Sequence, residues 1–120
     1  MPGRFIPHSG KQILLIDLYG AHSTAEIIQT AEEAKKIIEL HQPQSLLVLV
    51  DFTRMNIDRE RIKIIQEMAA HNRPYVKFIA LEGLGFFRSI AFSMMLRLTG
   101  RKNHRVFRNR VKALDWLGGR

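Results

Sequence analysis

The sequence predicts an α/β fold with a mixed, mostly parallel sheet of five strands, an N-terminal antiparallel hairpin and about four helices. The first observation is the apolar run at residues 46–50, which shows no polar alternation before Asp51 closes it. Such a run is typical of a strand covered on both faces at the centre of a parallel sheet. The second is the order β-β-α-β-α-β-α, continued by a short strand and a last helix, which indicates right-handed crossovers.

The composition predicts one soluble domain spanning residues 1–120. The chain is 46% hydrophobic and 25% charged, and this length can bury a core without disulfides or a structural metal. It has no cysteine, which excludes disulfides, thiolate nucleophiles and cysteine-ligated zinc. The N-terminus lacks the apolar core of a signal peptide, and no apolar run is long enough for a membrane span. We therefore expect a cytoplasmic protein.

The N-terminal half predicts a hairpin followed by an amphipathic helix. Residues 4–8 and 12–19 have strand composition, and Ser9-Gly10-Lys11 between them offers turn chemistry. Ser23 and Glu26 have the spacing of a capping box at a helix start. The predicted buried stripe of this helix, which Pro43 terminates, consists of Ile27, Ile28, Ala31, Ala34, Ile37 and Ile38.

The C-terminal half predicts three further helices and two further strands. Asp58 and Asn109 are suited to cap the second and the last helix. The strands are predicted at residues 75–81 and 105–107, and the third helix at 86–99. The second helix should bury Ile62, Ile65, Met68 and Ala69. The last helix should bury Val111, Leu114 and Leu117, with Trp116 beside them.

Several segments together resemble the SpoIIAA-like family, whose fold is shared with STAS domains and related to CRAL-TRIO lipid-binding domains. They are Asp51-Phe52-Thr53, residues 69–77 (AAHNRPYVK), residues 97–101 (RLTGR), Phe107 and residues 113–117 (ALDWL). The resemblance covers nearly the whole chain and implies a βα superhelix. It also implies a non-enzymatic regulatory or protein-interaction module, because none of these segments is a catalytic signature.

The anti-anti-sigma members of the STAS group carry a strand ending in Asp-x-Ser and a second serine motif at the next helix start, where phosphorylation switches partner binding. The strand ending is matched here by Asp51 and Thr53. The helix start at residues 58–61 (DRER) offers no hydroxyl group. The resemblance therefore implies a binding module that lacks this second serine.

Polar residues in three predicted loops form the candidate interaction site, because the carboxyl ends of parallel strands are where ligands bind in open α/β sheets. They are His22, Asp51, Thr53, Arg54, Asn56 and Glu82. A histidine beside carboxylates has the groups for acid–base chemistry. The alternative is structural, in which Asp51 and Thr53 hold a turn and cap free amides.

No cofactor, metal or catalytic residue is predicted. Gly83-Leu84-Gly85 between a strand and a helix could hold an anion on free amides, but a plain turn is the alternative. Arg88 replaces the third glycine of a dinucleotide fingerprint, and the sequence has no P-loop. The five histidines are scattered, without ligand spacing within any helix.

The net charge of +8 is concentrated in the second half. Residues 61–120 hold thirteen Lys and Arg against three Asp and Glu, whereas residues 1–60 hold six against eight. Arg101, Lys102, Arg105 and Arg108 form a candidate anion patch within a basic run that extends to Arg110 and Lys112. Its binding to polyanions or anionic lipid should be weak and salt-sensitive, without sequence-specific recognition of nucleic acid. The alternative is a solvated rim.

The third helix carries apolar residues around most of its circumference, with Ser89, Ser93 and Arg97 on a narrow polar stripe. Phe87, Met94 and Met95 are the candidate apolar contact face, either in a homodimer or in the wall of an apolar site. The alternative is that the last helix, with Trp116, covers this face. The function hypotheses are a partner-binding module, an apolar-ligand, lipid or membrane-surface domain, and, third, an enzyme.

Overall fold

A computed structural model describes the backbone of residues 3–98 and 103–120, and the side chains within these ranges except at 86–87 and 95–98. The strands are β1 (Gly3–His8), β2 (Lys11–Asp17), β3 (Leu46–Asp51), β4 (Val76–Glu82) and β5 (His104–Phe107). The helices are α1 (Thr24–Ile38), α2 (Arg59–Asn72), α3 (Gly85–Leu98) and α4 (Arg110–Gly118). No helix within the described ranges is both long and apolar enough to span a membrane.

The five strands form one sheet in the order β1-β2-β3-β4-β5. The pair β1 and β2 is antiparallel, and every other neighbouring pair is parallel. This architecture confirms the predicted α/β class, the mixed sheet with its N-terminal hairpin and the four helices. All six residues of β3 are buried, because this strand is central and covered on both faces.

The two faces of the sheet are covered by different helices. One face carries Leu14, Val48 and Leu81, which pack with residues of α1, α2 and α3 such as Phe92. The opposite face carries a smaller core in which α4 contributes its buried residues. The members of this smaller core are Ile13, Leu15, Leu47, Leu49, Ala80, Ala113 and Leu117. The helix α4 therefore packs on the other side of the sheet from α3.

The helix N-termini form as their capping residues predict. The Ser23 hydroxyl accepts a hydrogen bond from the Glu26 amide at 3.2 Å, and the Asp58 carboxylate accepts one from the Arg61 amide at 2.9 Å. Asn109 accepts from the Lys112 amide at 3.0 Å. The capping box at Ser23 differs from the usual one, in which the glutamate side chain accepts from the backbone amide of the N-cap residue. Here the Glu26 carboxylate accepts a 3.3 Å hydrogen bond from the Ser23 hydroxyl.

Two packing predictions are wrong, and one alternative left open by the sequence fails. Ile28 is 44% exposed, because the α1 face that meets the sheet is centred on Ile27, Ala31 and Ala34. Val111 is 66% exposed, because α4 turns Ala113 and Leu117 toward the sheet. The alternative in which α4 covers the apolar face of α3 fails, since the two helices lie on opposite faces of the sheet and Trp116 packs with Phe78.

Candidate functional site

The loops at the carboxyl ends of the strands contact one another through the backbone. The Gly20 amide donates to the Thr53 carbonyl at 2.8 Å, and the Phe52 amide donates to the Glu82 carbonyl at 2.8 Å. The side chains of His22, Arg54 and Asn56 are exposed. The predicted loops are thus neighbours, but these three side chains point to solvent rather than into a shared enclosed site.

A row of carboxylates ends three adjacent strands on the α4 face. Asp17, Asp51 and Glu82 occupy matching positions in the strand register. The Arg110 guanidinium reaches over this row, with Nη2 at 2.8 Å from Asp51 Oδ2 and Nε at 3.2 Å from Glu82 Oε1. The side chains of Asp51 and Glu82 are only 6% and 12% exposed. Two nearly buried carboxylates therefore share one half-buried cation.

Asp51 is also tied to its own turn. Its Oδ1 accepts a 2.9 Å hydrogen bond from the Thr53 amide, while Oδ2 accepts from Arg110. The structural interpretation of the motif Asp51-Phe52-Thr53 is therefore supported by contacts at both carboxylate oxygens. The acid–base interpretation finds no comparable contact, since the exposed His22 is connected to Arg61 through its backbone carbonyl.

The surroundings of Glu82 favour its protonated form. Burial raises the pKa of Glu82 from its ordinary value, and the neighbouring charges of Asp51 and Asp17 act in the same direction. The hydrogen bond and positive charge of Arg110 lower this pKa, but they do not cancel the effect of burial. The ion pair with Arg110 is thus the contact that favours the ionised form of Glu82.

Arg88 connects two of the loops from inside α3. Its guanidinium donates to the carbonyl oxygens of Leu84 at 2.7 Å, Met55 at 3.0 Å and Gly83 at 3.1 Å. Arg88, which stands where a dinucleotide fingerprint has its third glycine, therefore holds the backbone of two loops in place. Sequence reasoning assigned no such role to Arg88 or Arg110, because their partners are set by tertiary packing.

Gly83 allows the β4–α3 loop to lie directly against Thr53. Its φ is +83°, and a Cβ atom there would stand 2.1 Å from Thr53 Oγ1 and 2.6 Å from the Thr53 amide nitrogen. Backbone atoms cannot move aside as a flexible side chain can. The first glycine of Gly83-Leu84-Gly85 thus serves a close backbone approach, which supports the turn interpretation.

We expect Gly83→Ala to lower the free energy of unfolding by at least about 2 kcal/mol, because strain at positive φ adds to a backbone clash. Gly20→Ala is the matched control, since Gly20 has φ +64° but, apart from its two chain neighbours, no described residue has an atom within 4 Å of where an added Cβ would stand. The control should lose only about 1 kcal/mol. Urea unfolding of both variants measures the difference, and equal losses would contradict the close approach.

An open groove separates α3 from β5, the last strand of the sheet. It consists of two adjoining hollows of about 480 and 450 Å³, which share Ser89 and Val106. We call this the α3–β5 groove. Its described lining residues are Gly83, Gly85, Ser89, Ile90, Ser93, Met94, His104, Arg105, Val106, Phe107 and Arg108.

The groove combines apolar and basic surface. Ile90 is 48% exposed and Met94 is 60% exposed, four residues apart on α3. Arg108 is exposed where the groove meets the end of β5, and Arg105 is exposed on β5, with its guanidinium 5.8 Å from the centre of the Phe107 ring on the α4 side of the strand. Ser89 and Ser93 of the predicted polar stripe line the same groove, whereas the side chain of Arg97 lies outside the described residues. The Ser89 hydroxyl donates to the Gly85 carbonyl.

The groove brings together parts of two predicted surfaces. Met94 comes from the predicted apolar contact face, whereas the side chains of Phe87 and Met95 lie outside the described residues. Arg105 and Arg108 come from the predicted anion patch, whereas Arg101 and Lys102 lie outside the described ranges. The other two residues of the basic run have different surroundings. Lys112 is exposed on α4, whereas Arg110 forms ion pairs with Asp51 and Glu82.

A second space lies inside the core, between the sheet and helices α2 and α3. Its volume is about 30 Å³, and its lining is apolar apart from Asn72. The lining residues include Val50, Phe52, Met68 and Phe92. This volume is about that of a single water molecule.

The described residues of the groove and of the carboxylate row show no metal-binding arrangement. Within residues 3–98 and 103–120, no group of three or more His, Asp or Glu side chains is arranged to hold a metal ion. No family model, curated protein or solved structure matches the chain in comparisons with known proteins.

Proposed function

We propose that the chain is a non-enzymatic protein-interaction module with a regulatory role, of the SpoIIAA-like, STAS-related type. The observation that carries this proposal is the α3–β5 groove, in which half-exposed apolar side chains stand beside exposed arginines. Apolar surface left open to water and bordered by polar groups is typical of protein-binding sites. The βα order of the chain and its Asp51-Phe52-Thr53 ending support the family assignment.

The carboxylate row supports a binding role over a catalytic one. The side chains of Asp51 and Glu82 are 6% and 12% exposed, and Arg110 forms an ion pair with each of them. A general base needs a carboxylate or imidazole within reach of a substrate proton. The contacts of Asp51 and Glu82 instead hold the start of α4 against the sheet.

A photo-reactive residue placed at Met94 tests the proposal in cells of the native host. We expect irradiation to yield a protein adduct of discrete mass, because Met94 is exposed within the groove. Leu40, which is 83% exposed two residues beyond the end of α1, provides the matched control position. The same adducts from both positions, or no protein adduct from Met94, would count against a protein-binding groove.

The second candidate function is binding of an apolar small ligand or lipid, favoured by the apolar cavity beneath α3. That cavity would have to enlarge, because about 30 Å³ is far below the roughly 300 Å³ or more of small-molecule pockets. Phe92 and Met68 are the side chains whose displacement would open it. Organic extraction and mass spectrometry of the purified protein test this function, since a stoichiometric apolar compound is expected only if the cavity opens.

A further inference from the structure

The charges around the α3–β5 groove have one sign. Arg105 and Arg108 line it, and none of its described lining residues is an aspartate or glutamate. Positive charge on a surface steers and orients a partner of negative charge. We propose that the occupant of the α3–β5 groove is an extended acidic segment of a partner protein; this inference rests on the proposed function.

The dimensions of the groove suit an extended segment. The part of α3 that lines it, from Gly85 to Met94, rises about 14 Å at the helical repeat. Four or five residues of extended chain span about the same distance. The opposite wall is β5, which pairs with β4 and ends the sheet.

The geometry of β5 offers backbone groups for such a segment. The Ile79 amide donates to the Asn103 carbonyl at 3.0 Å. Because every second residue of a parallel strand directs its backbone groups to its neighbour, residues 103, 105 and 107 face β4. Val106 lies between two of them, so its N–H and C=O groups point away from β4, toward the open edge of the sheet. Peptides that bind sheet edges gain affinity from such main-chain groups and specificity from alternate side chains.

The apolar wall determines the pattern of the segment. Ile90 and Met94 are half-exposed on the α3 side of the groove. Arg105 pairs with Ala80 and points to the α4 side of the β5 edge, beside Phe107, and Arg108 lines the end of the groove. Successive side chains of an extended segment point to opposite sides. In a segment beside β5, an alternation of apolar and acidic residues would therefore place apolar groups on Ile90 and Met94 and carboxylates on the other side, near Arg105, while Arg108 adds positive charge at the end of the groove.

Two other occupants fit the groove less well. A second copy in a symmetric dimer presents the same surface from both subunits, which would bring two sets of Arg105 and Arg108 into one interface. Nucleic acid would satisfy the arginines but would leave Ile90 and Met94 against a charged backbone. An acidic segment with apolar residues matches both kinds of surface.

Selection of a random 12-residue peptide display library on the full chain tests the inference. We expect enriched peptides with net negative charge and apolar residues at alternate positions. The Arg105→Glu/Arg108→Glu variant should bind these peptides at least about tenfold more weakly, and the remaining affinity should fall as salt screens the charges. Lys36→Glu/Lys63→Glu is the charge-matched control, because both lysines are exposed on α1 and α2, and it should retain the affinity.

Several results would overturn the inference. These are failure to enrich any peptide, enrichment of neutral or basic peptides, apolar residues at helical three- and four-residue spacing, and equal weakening by both charge-reversal variants. Tighter binding of oligo(dT) or phosphatidylserine vesicles than of the peptides, lost in the arginine variant, would assign the groove to those ligands. Dimerisation in light scattering that the arginine variant abolishes would assign it to a second copy.

The outcome also separates the inference from the proposed function. A protein adduct at Met94 whose cross-linked segment is not acidic would preserve the protein-binding module and overturn the acidic occupant. Absence of both the protein adduct and enriched peptides would remove the two together. Amide chemical-shift changes at Ser89, Ser93 and Val106 on addition of an enriched peptide would place it in the groove, and changes elsewhere would contradict that placement.

Discussion

Val48→Asp is expected to leave the chain without a cooperatively folded state. Val48 is 1% exposed at the centre of β3, and its side chain packs in the core beneath α1, α2 and α3. An unpaired buried carboxylate costs several kcal/mol, against a total stability of about 5 to 15 kcal/mol for a domain. Circular dichroism and thermal melting measure the effect.

Val111→Asp makes the same chemical change at a site that is 66% exposed. We expect this control to melt cooperatively, within about 0.5 kcal/mol of the parent, because exposed substitutions away from special contacts have small effects. A Val48→Asp variant that is soluble and melts as sharply as the Val111→Asp control would contradict the central position of β3.

The burial of β3 could be predicted from the sequence because it depends on a local pattern. Leu47, Val48, Leu49 and Val50 are between 0% and 6% exposed, as the unbroken apolar run indicates. The helix starts at Ser23, Asp58 and Asn109 were predictable for the same reason, since each cap involves a residue three positions away.

The helix α4 shows where the local pattern was insufficient. Val111, Leu114 and Leu117 form an acceptable helical stripe in the sequence, yet Ala113 replaces Val111 in the buried face. The rotation of a short helix is set by what it packs against. Here that surface is the sheet face with Leu15 and Leu49, and the sequence contains no signal that assigns α4 to that face.

The candidate site was predictable in parts but not in its arrangement. The stripe of Ser89 and Ser93 and the apolar Met94 follow from helical periodicity. Their position beside Arg105 depends on how the chain returns to pair β5 with β4.

The contact of Arg110 with the carboxylates was not predicted. Arg110 was assigned to a basic run, because its partner Asp51 lies 59 residues away in sequence. One signal in the sequence pointed to this contact. Arg110 begins the helix that follows β5, and β5 ends in register with Glu82, so Arg110 lies near the ends of the strands.

Arg110→Met is expected to lower the free energy of unfolding at pH 7 by about 2 to 4 kcal/mol. The substitution keeps the aliphatic length but leaves Asp51 and Glu82 without their cation, at 6% and 12% exposure. The expected loss is below the largest values for buried pairs, because the Arg110 side chain itself is 34% exposed and water screens part of its charge. Urea unfolding at pH 7 measures it.

Arg108→Met is the control, because Arg108 is an exposed arginine two residues before Arg110. It should change stability by no more than about 0.5 kcal/mol. Equal stability of the Arg110→Met and Arg108→Met variants would show that the ion pairs contribute little.

The loss in Arg110→Met is also expected to depend on pH, because the pKa of Glu82 is already raised by burial above its ordinary value of 4.5. A folded-state pKa above the unfolded value means that protonation of Glu82 stabilises the fold. This contribution is complete below pH 4.5 and is lost as the pH rises through the folded pKa.

Removing Arg110 takes away the hydrogen bond and charge that lower the pKa of Glu82, so this pKa should rise further in the Arg110→Met variant. The difference in unfolding free energy between the variant and the parent should therefore shrink from pH 7 toward about pH 5. Glu82→Gln in the Arg110→Met background should recover part of the loss at pH 7 and flatten this pH dependence, whereas a loss that stays constant with pH would assign the effect to packing of the Arg110 side chain.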